Sequence, residues 1–314
     1  MAQQHLQHIR EVEEITIPVP WGHIAAKFWG PKHVRPILCL HGWQDNAGTF
    51  DALIPMLPNH VSYLAIDLPG HGLSSRYPDG MIYSHIDYLY TLVLIFKKLQ
   101  WEKVSLMAHS MGAIIGFLFA AAYPEKCDMV ISFDTLKPFV TNYGYITHFF
   151  NNSLEDLMVA DIRNQEKSEP PSYKYEELID RLTSATILSV TRETAPYLLK
   201  RAIKPSAKES DKYYFTRDSR LKSLHAVMLP HETILFLAKR IKSPYCFIKA
   251  TQSSFHENRK YFNETVDVMQ ENTQFELHGV DSAHHVHLTE PEKVSLIVSN
   301  FINKYRPLSA VSKL

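Results

Sequence analysis

The residues most suited to chemistry are Ala-His-Ser-Met-Gly at 108–112, which join a strand-like apolar run to a helix-like one. Small residues two before and two after Ser110 let the backbone fold tightly, and a helix that begins at once directs its free N–H groups toward developing negative charge. Ala108 adds one methyl group to the usual glycine. The pattern predicts that Ser110 is a nucleophile on a strained strand-to-helix turn. The alternative is a serine that only caps the helix.

A serine nucleophile needs a base that removes its proton, and histidine is the usual one. Of the 17 histidines, three lie close together at residues 279–294, after the last predicted strand: His284, His285 and His287. Spacing alone leaves the choice among these three open. We expect no metal site at this cluster, because the neighbouring sequence offers no clear further ligands.

The negatively charged oxygen of a tetrahedral intermediate needs backbone N–H groups beside it. In a turn of this kind one donor is the residue after the nucleophile, which is Met111. The second is expected from a loop that follows an early strand, and residues 38–46 (LCLHGWQDN) provide that loop. The ring of Trp43 in this loop lines either an acyl pocket or the rim of the core, and His41 is expected to brace the loop.

The composition limits the class of protein. The chain has 314 residues, 45% of them hydrophobic, which suits one large globular unit or a core with an inserted subdomain. Thirty-three basic residues balance 33 acidic ones, so no attraction to nucleic acid or to an anionic membrane is expected.

Cys39, Cys127 and Cys246 lie in apolar runs, which indicates buried thiols in a reducing compartment. We expect no secretory signal and no transmembrane segment, because the longest apolar run, residues 111–123, is too short.

Strand-like and helix-like runs alternate along the chain, which predicts the α/β class, with a mostly parallel central sheet flanked by helices. The sixth strand-like run ends at Asp134. More highly charged helix-like pieces follow it, so we predict a helical cap inserted after strand six. The predicted division is a first core part at residues 1–135, a cap at 136–235 and a second core part at 236–314.

Four segments, in this order along the chain, resemble the α/β-hydrolase superfamily: HGW at 41–43, DLPGHGLSS at 67–75, AHSMG at 108–112 and HHVHLTEPEKV at 284–294. More narrowly, the chain resembles the serine-hydrolase-like branch of animals, the kraken-like proteins. Supporting segments are HGWQDNAGTFD at 41–51 and RDSRL at 217–221. The resemblance covers nearly the whole chain and implies the α/β-hydrolase fold and a serine hydrolase.

The resemblance also assigns site residues. In such enzymes the catalytic histidine precedes a Glu-Pro pair by a short fixed interval, so Glu290-Pro291 selects His284. The resemblance implies that the N–H groups of Trp43 and Met111 are the oxyanion donors.

The acid that orients the histidine departs from the common form of the superfamily. Many α/β-hydrolases carry an aspartate after the seventh strand, but here residues 248–258 hold no carboxylate before Glu257. Asp134 is an alternative, because the ends of adjacent strands meet at one rim, and relatives of this branch are similar in placing the acid after strand six. We rank Asp134 first, Glu257 second and Asp281 third. The other role open to Asp134 is to cap the inserted segment.

The expected reaction is cleavage of a carboxylic ester or thioester through an acyl-enzyme on Ser110, without a cofactor. The substrate is expected to be a small molecule with an apolar acyl or aromatic group. A coenzyme A thioester would need cationic groups, and residues 200–208 (KRAIKPSAK) are either such groups or a solvated helix end. The alternative function is a non-hydrolytic ligand-binding protein on the same scaffold.

The sequence ends in Ser312-Lys313-Leu314. The peroxisomal import receptor reads this tripeptide at a free carboxyl end. We therefore expect that receptor as a partner and the peroxisome as the location, with a cytoplasmic fraction as a further possibility.

Overall fold

A computed structural model describes residues 11–308, except 142, 145, 167, 223–227 and 255–256. The tripeptide at 312–314 lies outside the described residues.

The central sheet consists of eight strands of the described residues: β1 Val12–Val19, β2 Gly22–Trp29, β3 Ile37–Leu40, β4 Tyr63–Ile66, β5 Val104–His109, β6 Cys127–Phe133, β11 Tyr245–Ala250 and β12 Phe275–Val280. Between β6 and β11, four short strands form two small sheets: β7 Phe139–Val140, β8 Ile203–Pro205, β9 Tyr213–Phe215 and β10 Met228–Leu229. The order in the central sheet is β1-β2-β4-β3-β5-β6-β11-β12. The pairs β1–β2 and β2–β4 are antiparallel and all the others are parallel, so the predicted mostly parallel sheet is confirmed.

The helices of the described residues are α1 His85–Lys98, α2 Met111–Ala122, α3 Ile146–Gln165, α4 Tyr175–Ala185, α5 Ala195–Ala202, α6 His231–Arg240, α7 Arg259–Gln270, α8 Val286–Thr289 and α9 Glu292–Tyr305. Five of them, α1, α2, α6, α7 and α9, cover the two faces of the central sheet. Side chains of α1, α2, α6 and α7 share one buried apolar cluster with Leu38 and Leu40 of β3. Side chains of α9 share another with Ile37 and Cys39 of the same strand. Both faces of β3 are therefore buried, which explains why its sequence is continuously apolar.

The inserted segment, residues 134–244, contains α3, α4, α5 and α6 and the four short strands. Apolar residues of α4 and α5, including Leu178 and Leu198, pack in one cluster with Leu288 of α8. Helix α6 instead packs against α2 and α7 of the core. The predicted cap boundary at residue 235 falls inside this helix.

A buried ion pair links the inserted segment to the core. Arg220 is 1% exposed and its Nη2 lies 2.8 Å from Asp218 Oδ2. The guanidinium also donates to carbonyl oxygens of residues 77–81 at 2.6–2.8 Å, and the hydroxyl of Tyr83 donates to Asp218. The donors and acceptors of this pair are therefore satisfied largely by the core, which fixes the position of the RDSRL segment on it.

None of the described helices combines the length and the apolar character that a membrane-crossing helix requires.

We predict that Arg220→Ala lowers the midpoint of thermal unfolding by at least about 5 °C, because it leaves Asp218 charged, buried and without its cation, a loss of about 3–5 kcal/mol. Arg192→Ala is the control, since Arg192 is exposed and pairs with Glu176 and Asp180 on the surface. Its effect should stay within about 1–2 °C. Equal shifts in the two variants, measured by circular dichroism, would contradict the importance of the buried pair.

Candidate active site

Ser110 has the strained backbone that the sequence predicts. Its φ is 52° and its ψ is −117°, a region that non-glycine residues rarely occupy. The N–H of Ser110 donates to the carbonyl oxygen of Phe133 on β6 at 3.2 Å, and α2 begins at the next residue. The Ser110 side chain makes no capping hydrogen bond to α2, so the helix-cap alternative is not what the structure shows. Ser110 also remains partly exposed.

Gly112 lets the start of α2 approach β3 very closely. A Cβ atom at this position would lie 2.3 Å from the carbonyl oxygen of Leu40, which is backbone and cannot move aside. Only glycine fits here, so the second small residue of the predicted turn is required by packing. Ala108, the other small residue, is fully buried in β5 between Leu40 and Ser132 of the neighbouring strands.

His284 and Asp134 form the closest acid–imidazole contact of the site. The Nδ1 atom of His284 lies 2.5 Å from Oδ2 of Asp134. The other oxygen, Oδ1, accepts from Lys249 Nζ at 2.5 Å and from the N–H of Ala250 at 3.0 Å. Burial raises the pKa of Asp134, but the bonds from His284 and Lys249 outweigh it and leave the pKa below its ordinary value. The carboxylate is therefore charged and held toward the imidazole.

The other two candidate acids lie elsewhere. Glu257 pairs with Lys137 and accepts the N–H of Val140 at 3.1 Å. Asp281 is exposed, and its Oδ1 accepts from Gln252 at 3.0 Å. Among the described residues neither makes a hydrogen bond to His284. Because the oxygens of Asp134 are occupied by His284, Lys249 and the end of β11, Asp134 does not act as a helix cap.

His109, the residue before the candidate nucleophile, connects Ser110 to the segment that carries His284. Its Nε2 lies 3.0 Å from the carbonyl oxygen of His284, which can only accept, so Nε2 carries the proton. The two rings are 4.5 Å apart between centroids. Within the described part of the chain the Ser110 hydroxyl has no hydrogen-bond partner. In sites without substrate the hydrogen bond of a catalytic serine is often long or absent.

His285 and His287 are buried and have other partners. The Nδ1 atom of His285 lies 2.8 Å from Oγ of Ser189, and Nε2 of His287 lies 2.9 Å from Oγ1 of Thr49. Burial lowers the pKa of both residues, that of His287 to about 3, so both rings are neutral. Of the three clustered histidines, His284 is therefore the one placed to act as a base.

Asp45, His109 and His285 are a group that can hold a metal ion. One ligand atom from each lies within 4.8 Å of the other two, and all three residues are buried. Oδ2 of Asp45 is 3.9 Å from Nδ1 of His109 and from Nε2 of His285. Burial raises the pKa of Asp45 to about 7. Sequence analysis missed this group because its members come from three separate segments, and only the spatial arrangement reveals it.

The two predicted oxyanion donors belong to two segments that meet at Ser110. Met111 is the first residue of α2, and Trp43 lies in the loop after β3. A Cβ atom at Gly42 would lie 3.2 Å from Cβ of Ser110, so this loop passes directly beside the serine. Among the described residues no group accepts from the N–H of either candidate donor. His41 braces the loop as expected, with Nδ1 2.7 Å from the carbonyl oxygen of Gly42.

A cavity of about 960 Å³ lies between this loop and the inserted segment. Trp43, Asp45 and His285 line it on the core side, and Tyr173 and Phe215 line it on the side of the inserted segment. The ring of Trp43 also packs against the apolar cluster under α2. The two predicted roles of this ring, pocket wall and core rim, are therefore both observed.

Similar proteins place the chain in a family. A family model described as the alpha/beta hydrolase fold matches residues 35–149. A serine hydrolase-like protein of Danio rerio is 33% identical over 307 residues, covering 95% of this chain and 90% of that protein. A probable serine hydrolase of Drosophila melanogaster is 34% identical over 294 residues, covering 93% and 88%.

Solved structures agree on the fold. A hypothetical protein from Pseudomonas aeruginosa superposes with a TM-score of 0.79 at 26% identity, covering 94% of this chain and 99% of that one. A thioesterase domain from the curacin biosynthetic pathway superposes with a TM-score of 0.73 at 19% identity, covering 92% and 99%. The predicted fold class and family are confirmed: the chain belongs to the serine hydrolase-like proteins of the α/β-hydrolase fold.

Proposed function

We propose that the protein cleaves a carboxylic ester or thioester through an acyl-enzyme formed on Ser110. The observation that carries the proposal is the strained backbone of Ser110 beside the bonded pair of His284 and Asp134. The names of the relatives support hydrolase activity in general.

In the proposed reaction Oγ of Ser110 attacks the carbonyl carbon while Nε2 of His284 takes its proton. Asp134 holds the Nδ1 proton of the imidazole and stabilises the imidazolium that forms. The N–H groups of Met111 and Trp43 stabilise the negative charge on the carbonyl oxygen. The carbon–oxygen or carbon–sulfur bond then breaks, and the leaving group takes the proton from His284. Water, activated by the same histidine, releases the acid from Ser110.

The cavity supports a substrate with an apolar acyl or aromatic group, because aromatic residues of both the core and the inserted segment line it. The stretch at 200–208 does not line the cavity, so it does not support a coenzyme A thioester there. Its Arg201 is 3% exposed and lies 2.9 Å from Oδ2 of Asp67. Lys200, Lys204 and Lys208 are exposed at and after the end of α5, which agrees with the alternative of a solvated helix end, and Arg201 is the buried exception.

The hydrolase proposal is favoured over a ligand-binding protein without turnover. The reason for considering that alternative is that no carboxylate directly follows the seventh strand of the central sheet, where many hydrolases carry the acid of the triad. The contact between Asp134 and His284 supplies an acid from β6 instead, so the motivation is lost.

We further propose that Ser312-Lys313-Leu314 directs the protein to the peroxisome through the import receptor. The support is the tripeptide itself at the end of the sequence.

We predict that a fluorophosphonate probe labels the wild-type protein and not Ser110→Ala, because only an activated serine attacks phosphorus. Gel fluorescence after labelling measures this. Ser219→Ala is the control, because Ser219 lines the cavity but has an ordinary environment, with its hydroxyl 2.8 Å from Oδ1 of Asn164. Equal labelling of wild type and Ser110→Ala would show that another residue reacts.

The three candidate acids can be ranked by kinetics. Asp134→Asn should lower kcat for a p-nitrophenyl ester by about 10³–10⁴-fold, because the amide no longer holds the productive tautomer of His284. Asp281→Asn should leave kcat within about threefold, because Asp281 is exposed and bonded to Gln252. Glu257→Gln tests the remaining candidate and should cost far less kcat than Asp134→Asn. A larger loss in either comparison variant than in Asp134→Asn would assign the acid differently.

Targeting can be tested in cells with an amino-terminal fluorescent fusion. We predict punctate fluorescence that coincides with a peroxisomal marker, and diffuse fluorescence when Leu314 is deleted, because the receptor reads the complete tripeptide. Lys313→Arg is a control that keeps the positive charge. Diffuse fluorescence of the intact chain would contradict the proposed address.

A further inference from the structure

Arg217, the first residue of the RDSRL segment, lines the same cavity as Trp43 and His285. It lies two residues after the end of β9 and is half-buried. Its guanidinium lies over the ring of Phe215, with Cζ 4.6 Å from the ring centroid. One face of the guanidinium thus packs on the ring, and the N–H groups along its edge can still bind a ligand.

This guanidinium has no anionic partner within the described part of the chain. No hydrogen bond or ion pair joins Arg217 to an acidic side chain there, and none of the residues outside that part is Asp or Glu. Burial lowers the pKa of Arg217, and no carboxylate raises it. Arginine nevertheless stays charged in proteins, so a positive charge faces the cavity.

Four carboxylates line the cavity, and among the described residues none makes an ion pair with Arg217. Asp45 is buried, its Oδ1 accepts the N–H of Asn46 at 2.7 Å, and burial raises its pKa to about 7. The other three have partners of their own. Asp218 is bound by Arg220, and Asp180 by Arg192. Glu177 accepts the backbone N–H that precedes α4 at 2.8 Å. A guanidinium left unpaired beside carboxylates that bind elsewhere indicates that its partner is not part of this chain.

The backbone on both sides of Arg217 is fixed. The N–H of Thr216 donates to the carbonyl oxygen of Ala202 at 2.8 Å. The N–H of Asp218 donates to the carbonyl oxygen of Gly70 at 2.9 Å, and the buried pair with Arg220 holds the side chain of Asp218. Arg217 therefore starts from a fixed position, which reduces the entropy lost when a ligand binds.

We propose that Arg217 binds an anionic group, a carboxylate or a phosphate, of the substrate whose ester or thioester bond is cleaved at Ser110. The inference rests on the proposed function and adds the class of substrate. An oxyanion can accept two parallel N–H bonds from a guanidinium, which a neutral group of the same size cannot replace.

Two matched substrate pairs separate carboxylate from phosphate. Mono-p-nitrophenyl glutarate is compared with the neutral p-nitrophenyl pentanoate, and butyryl-coenzyme A with the phosphate-free butyryl-N-acetylcysteamine. The measured quantity is the ratio of kcat/KM between the anionic and the neutral member of each pair. We expect a ratio of at least about ten for one pair in the wild type, and a decrease of that ratio by about 10- to 100-fold in Arg217→Gln, mainly through KM.

Two further variants test whether the effect belongs to this guanidinium. Arg217→Lys should restore part of the ratio, because it keeps the charge but loses the paired N–H bonds. Arg181→Gln is the matched control: Arg181 lines the same cavity and lies over Tyr173, with Cζ 3.8 Å from the ring centroid, but it is exposed. Its ratio should stay within about threefold of the wild type. Unchanged ratios in Arg217→Gln, or ratios near one in the wild type, would overturn the proposal.

Failure of the hydrolase proposal can be distinguished from failure of this one. Mono-p-nitrophenyl glutarate and butyryl-coenzyme A are titrated into Ser110→Ala and into Ser110→Ala/Arg217→Gln, with tryptophan fluorescence as the readout. Weaker binding of one of them by at least about tenfold in the double variant supports the anion site even if the wild type hydrolyses nothing. Equal affinities in the two proteins, or no binding at all, would overturn it.

Discussion

The site depends on one backbone constraint, the left-handed conformation of Ser110. Such a conformation costs about 1–3 kcal/mol and persists only where its surroundings hold it. Here the N–H of Ser110 is bonded to the end of β6, and the first turn of α2 is pressed against the end of β3 at Gly112. The buried parallel strands therefore maintain the strained backbone of Ser110. This backbone keeps the Ser110 hydroxyl out of the helix-capping position that an unstrained serine would take.

In the proposed mechanism, an acid from β6 replaces one after the seventh strand of the central sheet, β11. Strands β6 and β11 are neighbours and parallel, so their carboxyl ends lie at one edge of the sheet. Asp134 follows β6, and Lys249 and Ala250 at the end of β11 bind the carboxylate oxygen that His284 leaves free. In this arrangement β11 does not provide the carboxylate but provides hydrogen-bond donors to it. The negative charge of Asp134 is stabilised by these donors at one oxygen and by His284 at the other.

The parts of the site that could be predicted from sequence are those encoded locally. The strand, turn and helix around Ser110 follow from small residues and apolar runs within about fifteen positions. The choice of His284 over His285 and His287 needed the resemblance to known hydrolases, because the three histidines lie within four positions and spacing to Ser110 does not distinguish them. The contacts of Asp45, His109 and His285 and the burial of Arg201 could not be predicted, since each joins segments that are distant in sequence. Long-range contacts depend on how helices and strands pack, which local patterns do not specify.

Within the RDSRL segment, some residues stabilise the fold and another is free to bind a ligand. Asp218 and Arg220 are buried and bind each other. Arg220 also donates to the core loop at residues 77–81 and Asp218 accepts from Tyr83, so the pair holds the segment against the core. Because their charges cancel, they add little to the field inside the cavity. The charge of Arg217 is not cancelled, and it lies on the wall that faces Trp43 and His285. The uncancelled charge that this segment contributes to the cavity is therefore that of Arg217, whose position the buried pair fixes.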